Sequence, residues 1–232
     1  AAFRYSVDFK VLRALNPYRA EGVDDRQATR ALNKALDALE DAGLLQWDRK
    51  HNRYDLHPVV RAYAYDGLDA DEKRRAHLQA RDYFEALPPE DPQEVEEVDD
   101  LRRSLEIYHA LLQAGELNAA ASFYRGDLGK ILLNEIGAYE LILELLRPLF
   151  PDGFSQPPAL RSERDQGYIL NNVGGALVYL GRQQEALAAK AASLRIDLDR
   201  RDARQLRVGM NNYGVIFYNL GHLAQAAQAD TL

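Results

Sequence analysis

With 232 residues, 47% of them apolar, the chain has room for one large domain or two modest ones around a proper core. It contains no cysteine, which excludes disulfides and thiolate metal sites and suits a reducing cytoplasm. No apolar run approaches the length of a membrane span and no signal sequence opens the chain, so no membrane partner is expected. The net charge of −7 is unevenly spread: residues 1–90 carry 15 basic and 16 acidic side chains, residues 91–160 carry 5 and 13, and residues 161–232 carry 9 and 7.

In residues 1–90, Asp24 and Asp25 open a helix with Ala28, Ala31, Leu32, Ala35, Leu36 and Leu39 at three-and-four spacing, and Gly43 ends it. Leu44-Leu-Gln-Trp47 reads as a short strand, Asp48–Arg53 as a polar turn and Tyr54-Asp-Leu-His57 as the returning strand. Pro58 starts a helix where proline is tolerated, and Ala70–Leu87 forms another amphipathic helix. A helix, a two-stranded hairpin and a further helix predict a winged-helix domain. DNA binding is disfavoured. The helix that would enter the groove sets Arg26, Arg30 and Lys34 against Asp24, Asp25, Asp37, Glu40 and Asp41, and only the turn with Arg49, Lys50 and Arg53 is basic. A net negative helix gains nothing from counterion release.

Residues 91–160 follow an acidic linker, Pro88–Asp100, whose charges suit the first turn of a helix. Turns at Gly115 and Gly137 divide helical stretches, with Ala120 five residues after the first and Ile142 five after the second. These predict degenerate helical hairpins closing at the loop Pro151–Pro158.

Residues 161–232 carry one pattern twice, forty residues apart. Asn171, Asn172, Gly174, Leu180, Gly181 and Ala186 recur as Asn211, Asn212, Gly214, Leu220, Gly221 and Ala226. A fixed period of this length predicts an α-solenoid, whose units bury their apolar faces only by stacking and expose a long concave surface. Gly174 and Gly214 are expected to let two helices approach, with Leu177 and Phe217 packing into the gap. Gly181 and Gly221 are expected to end the first helix in the left-handed conformation. The second helix is expected to reach Asp199, with a turn at Arg200–Asp202. First helices would line the concave face: Tyr168, Asn171, Gly175, Val178 and Tyr179 in one rung, and Val208, Asn211, Val215, Tyr218 and Asn219 in the next. An asparagine amide offers a donor and an acceptor, so Asn171 and Asn211 can clamp an extended peptide or bridge adjacent repeats.

The Gly/Ala spacing of 171–187 and 211–227 resembles tetratricopeptide repeats, in the elongated form found in kinesin light chains and bacterial signalling ATPases. Leu44-Leu-Gln-Trp47, the basic turn and Tyr54-Asp-Leu-His-Pro-Val-Val-Arg-Ala-Tyr-Ala64 resemble the winged-helix domain of STAND-class, NB-ARC-like signalling ATPases. In that family the winged helix follows a nucleotide-binding module and precedes a repeat sensor, an order that covers essentially this whole chain. The family's Met-His-Asp motif falls on Leu56-His57-Pro58, with only the histidine retained. The resemblance implies that His57 contacts the β-phosphate of ADP in the full-length protein and holds the switch closed; the aspartate's role has no counterpart at Pro58.

No Gly-x-x-x-x-Gly-Lys-Ser/Thr loop is present, so the chain is not expected to be an enzyme or to bind ATP or ADP alone. His51, His77, His109 and His222 lack metal-ligand spacing, and no metal is expected. Met210 is the only methionine and residues 224–232 stop within an expected helix, so both ends are expected to be cut from a longer, bacterial protein. The reading is a cytoplasmic sensing fragment, with a protein or peptide on the repeats and the nucleotide-binding domain of the same polypeptide on the winged helix. Alternatives are part of a maltose-activator-like transcriptional regulator, or a constitutive tetratricopeptide scaffold.

Overall fold

The computed structural model describes residues 6–19, 22–201, 206, 207, 209, 210 and 214. The architecture is mainly helical with one small antiparallel sheet. The chain divides into two compact units, one of residues 1–89 and 103–115, the other of residues 90–102 and 116–232.

The first unit opens with β1 (Val7–Asp8) and α1 (Phe9–Ala14), which Asp8 caps by accepting from the Val11 N–H at 3.0 Å. In α2 (Asp25–Asp41), Ala28, Leu32 and Leu36 recur at four-residue spacing and form the buried stripe. Leu32 and Leu36 pack with Leu45, and Phe9, Leu12, Leu39, Tyr54 and Leu56 close over this core. Gly43, at φ +70°, turns the chain from α2 into β2 (Leu45–Asp48). β3 (Arg53–Leu56) returns antiparallel to β2, and β1 pairs on its other edge, giving the order β1-β3-β2. Trp47 lies opposite Tyr54, with the rings stacked 5.6 Å apart, the close cross-strand aromatic pairing that steadies a short ribbon. The turn holds through Asp48, whose carboxylate accepts from the Lys50 and His51 N–H groups, and through Asn52 at φ 51°. Next come α3 (Pro58–Asp66) and α4 (Ala70–Glu85), the latter opened by a capping box of Asp69 and Glu72. Residues 103–113 of α5 (Arg102–Gln113) complete the unit.

The second unit contains α6 (Leu117–Phe123), then a stretch to Ile136 dominated by wide π-helical turns. Regular helix was expected there. Gly126 departs from helical geometry (φ −66°, ψ −135°), and a Cβ at Gly129 would sit 2.6 Å from the buried Tyr124 ring. The ring fills the space that a regular turn with a side chain would occupy. Gly137, at φ +72°, leads into α7 (Tyr139–Leu146), where Ile142 is fully buried despite replacing the expected small residue. Ser162 caps α8 (Glu163–Tyr179), Gly181 turns the chain at φ +74°, and α9 (Gln183–Asp199) packs back on α8. Ile169, Leu170, Val173, Ala176 and Leu177 of α8 and the small residues Ala186 and Ala189 of α9 are all fully buried where the two helices pack. The space over Gly174 holds the aliphatic stem of Lys190 from α9, not the leucine three residues on. Gly174 admits a lysine.

Candidate functional site

On α8, Tyr168, Asn171, Asn172, Gly175 and Tyr179 fall at three- and four-residue steps along one face. Together with Arg125, Gly126, Lys130, Leu133 and Asn134 from the π-helical stretch and Lys190 from α9, they line a cavity of about 530 Å³. Of the expected rung, Tyr168, Asn171, Gly175 and Tyr179 share this cavity, whereas Val178 is half-buried and does not line it. Asn211, Tyr218 and Asn219, with Val208 and Val215, lie outside the described residues.

The polar groups of the cavity are held from behind. Asn172 is buried, donating from Nδ2 to the Tyr168 carbonyl at 3.1 Å and accepting from the Tyr124 hydroxyl at 3.5 Å. Tyr168 is half-buried, its ring edge-on to that of Tyr124, and burial pushes its phenol above the usual range. Tyr179 is 66% exposed and stacks on Tyr139 at 4.5 Å with the rings 6° from parallel. Arg125 is ion-paired with the buried Asp165. Asn171 is half-buried: its backbone carbonyl and Oδ1 both accept from the Lys190 ammonium, at 3.0 and 2.5 Å. Lys190 itself is only 5% exposed, and burial pushes its ammonium down to about 8.

In the first unit, His57 sits at the junction of β3 and α3 and is exposed. Its Nδ1 accepts from the Val59 N–H at 3.3 Å, capping α3, and its Nε2 has no partner among the described residues. None of the nine residues of α3 is buried; Val59 is 69% and Tyr63 83% exposed, one turn apart. The arginine of this helix, Arg61, pairs with Asp55 of β3. His77 of α4 is buried, bonded through Nε2 to the Tyr65 hydroxyl at 2.9 Å and edge-on to His109, and burial pushes it down to about 4. Its Nδ1 has no hydrogen-bond partner among the described residues. Among the described residues, no group of three or more His, Cys, Asp or Glu side chains is placed to hold a metal, and no helix is long and apolar enough to cross a membrane.

No family model, curated protein or solved structure matches this chain.

Sequence reasoning found the α8 face through the repeated asparagines but missed Lys190, Arg125 and Lys130. One signal was available: Lys190 lies four residues after Ala186, on the stripe that faces α8, where an apolar residue is the norm.

Proposed function

We propose that this chain is the regulatory and ligand-sensing part of a STAND-type signalling ATPase, acting in the cytoplasm. Residues 1–90 form its winged helix, 91–160 degenerate hairpins and 161–232 tetratricopeptide repeats. The observation that carries the reading is the α8 face. It gathers Tyr168, Asn171 and Tyr179 around one open cavity, with an amide and a phenol beside an exposed aromatic. Such a surface suits an extended peptide, whose backbone needs donors and acceptors and whose side chains need apolar or aromatic contact.

The winged helix couples occupancy of the repeats to a nucleotide-binding domain of the same polypeptide. What supports this is the exposed α3, where Val59 and Tyr63 leave apolar surface uncovered next to His57, the residue expected to reach the β-phosphate of ADP. A ligand shifts such a switch only by its difference in affinity for the closed and open states.

The test of the sensing role is selection of binders from a random peptide library on the purified chain, followed by titration of the enriched peptides against Asn171→Ala and Tyr179→Ala. Both variants should keep the wild-type circular dichroism spectrum and lose tenfold or more in affinity. Peptides that bind both variants as tightly as wild type would sink the assignment of the α8 face.

A further inference from the structure

Lys190 is the least ordinary residue in the second unit. It is 5% exposed, its stem threads over Gly174, and its tip reaches the cavity beside Asn171. There it meets two acceptors among the described residues, the backbone carbonyl and the Oδ1 of Asn171, at 3.0 and 2.5 Å. Both are neutral. Two acceptors serve only two of the three N–H groups of an ammonium, but they match the full donor set of a neutral amine, which keeps a lone pair on its nitrogen. Burial favours the same form, pushing the group down to about 8. The other titratable groups on the lining are two cations, Arg125 and Lys130, and two phenols, Tyr168 and Tyr179. None is a carboxylate. Asp165 and Glu135, which pair with those cations, do not line the cavity. The hollow therefore combines a nucleophilic nitrogen with positive charge around it.

We propose that Lys190 is a carbamylation site, at which the amine takes up carbon dioxide and Arg125 and Lys130 stabilise the anion produced. The Lys190 Nζ lone pair forms a bond to the carbon of CO2, one C=O π pair moves onto oxygen, and the nitrogen gives a proton to water. The amine and CO2 thus become R–NH–COO− and H+, with no oxidant or further reactant. The remaining N–H keeps one bond to Asn171, and the other acceptor of Asn171 is left to water in the open cavity. The charge of the product selects carbon dioxide over an aldehyde. An imine gains nothing from neighbouring cations, whereas a carbamate places a negative group among them. Uptake therefore reverses the charge that this residue presents to the cavity. The modification goes beyond the peptide-binding reading and stands or falls without it.

The experiment equilibrates the purified chain with isotopically labelled CO2 and bicarbonate at pH 8, fixes carbamates with triethyloxonium, and locates the ethyl carbamate by mass spectrometry of protease fragments. Lys10, Lys34, Lys50, Lys73 and Lys130 are the internal controls, so the main readout needs no variant. Lys190 should carry at least tenfold more label than any of them, and degassing before fixation should abolish it. Lys130→Glu, a charge reversal at an exposed position, should lower the Lys190 label at least threefold. Label at Lys190 no greater than at the control lysines overturns the proposal, as does label that survives degassing or is unmoved by Lys130→Glu. A parallel sample is treated with acetaldehyde and cyanoborohydride. Preferential ethylation of Lys190 there, without preferential carbamylation, identifies an activated amine that takes aldehydes and also overturns the proposal. Peptide binding is read separately from Asn171→Ala and Tyr179→Ala, so failure of one reading leaves the other to its own data.

Discussion

Replacing Gly174 with alanine adds one methyl group where α8 crosses α9, and two opposing effects decide its sign. In an open helix interior the change stabilises by up to about 1 kcal/mol, because alanine loses less backbone freedom than glycine. Here the added Cβ would stand 2.8 Å from Lys190 Cγ and Cε and 2.9 Å from Cδ. Three consecutive stem atoms are in the way, so the whole side chain must leave its channel. Overpacking of this kind costs about 1–3 kcal/mol. Displacing the ammonium also forfeits its bonds to Asn171, each worth about 1.5–3 kcal/mol when the donor is charged and buried. Against a gain of at most about 1 kcal/mol, the net expectation is destabilisation by at least about 3 kcal/mol. In a Lys190→Ala background the obstacle is gone, and the same Gly174→Ala change should be neutral or stabilise by up to about 1 kcal/mol, giving a large coupling energy between the two positions. Urea unfolding followed by circular dichroism at 222 nm measures all four corners of the cycle. If Gly174→Ala stabilises the wild type, or costs the same in both backgrounds, Lys190 does not occupy the space over Gly174 as described.

Two further outcomes are expected. His77 is held neutral by burial, with a folded value near 4 against 6.5 for a free histidine, so the unfolded chain takes up its proton first. The contribution of this group is therefore fully present above about pH 6.5 and is lost as pH falls towards 4, by up to about 3 kcal/mol. Urea midpoints between pH 7.5 and 4.5 should fall more steeply for wild type than for His77→Gln, and parallel slopes would refute the argument. On the proposed switch, His57→Ala in a polypeptide that includes a nucleotide-binding domain should lower the ADP retained through purification and raise basal ATPase activity; equal ADP content and equal rates would reduce His57 to the cap of α3.

The amino-terminal elements were legible because each carries its own local signal. The apolar spacing after Asp25, the glycine at 43, the alternation around Trp47 and Tyr54 and the proline at 58 mark α2, β2, β3 and α3 to within a residue or two. β1 was not legible. Two residues become a strand only by pairing with β3, forty-five or more positions away, and nothing local announces that. The π-helical stretch was missed for a related reason: Gly126 and Gly129 look like ordinary interruptions until the Tyr124 ring is seen folded against one of them. At the candidate site the repeated asparagines marked the face of α8 that lines the cavity. The charge at its base escaped notice because the pattern that singled out Gly174 says a gap is needed and not what fills it. Asp230, the residue forty positions after Lys190, gives no hint of a buried cation.

The exposure of α3 has a thermodynamic consequence of its own. Nine residues are fewer than the dozen or so that an isolated helix needs in water, and a helix with no buried side chain draws little help from tertiary packing. Its order rests on its margins: the fixed φ of Pro58, the cap from His57 and the anchor from Arg61 to Asp55. The free energy separating the wound from the unwound segment is accordingly small beside that of the unit as a whole. Anything that covers Val59 and Tyr63 therefore adds to that local free energy nearly in full, so that contact with α3 and the winding of α3 rise and fall as a single variable.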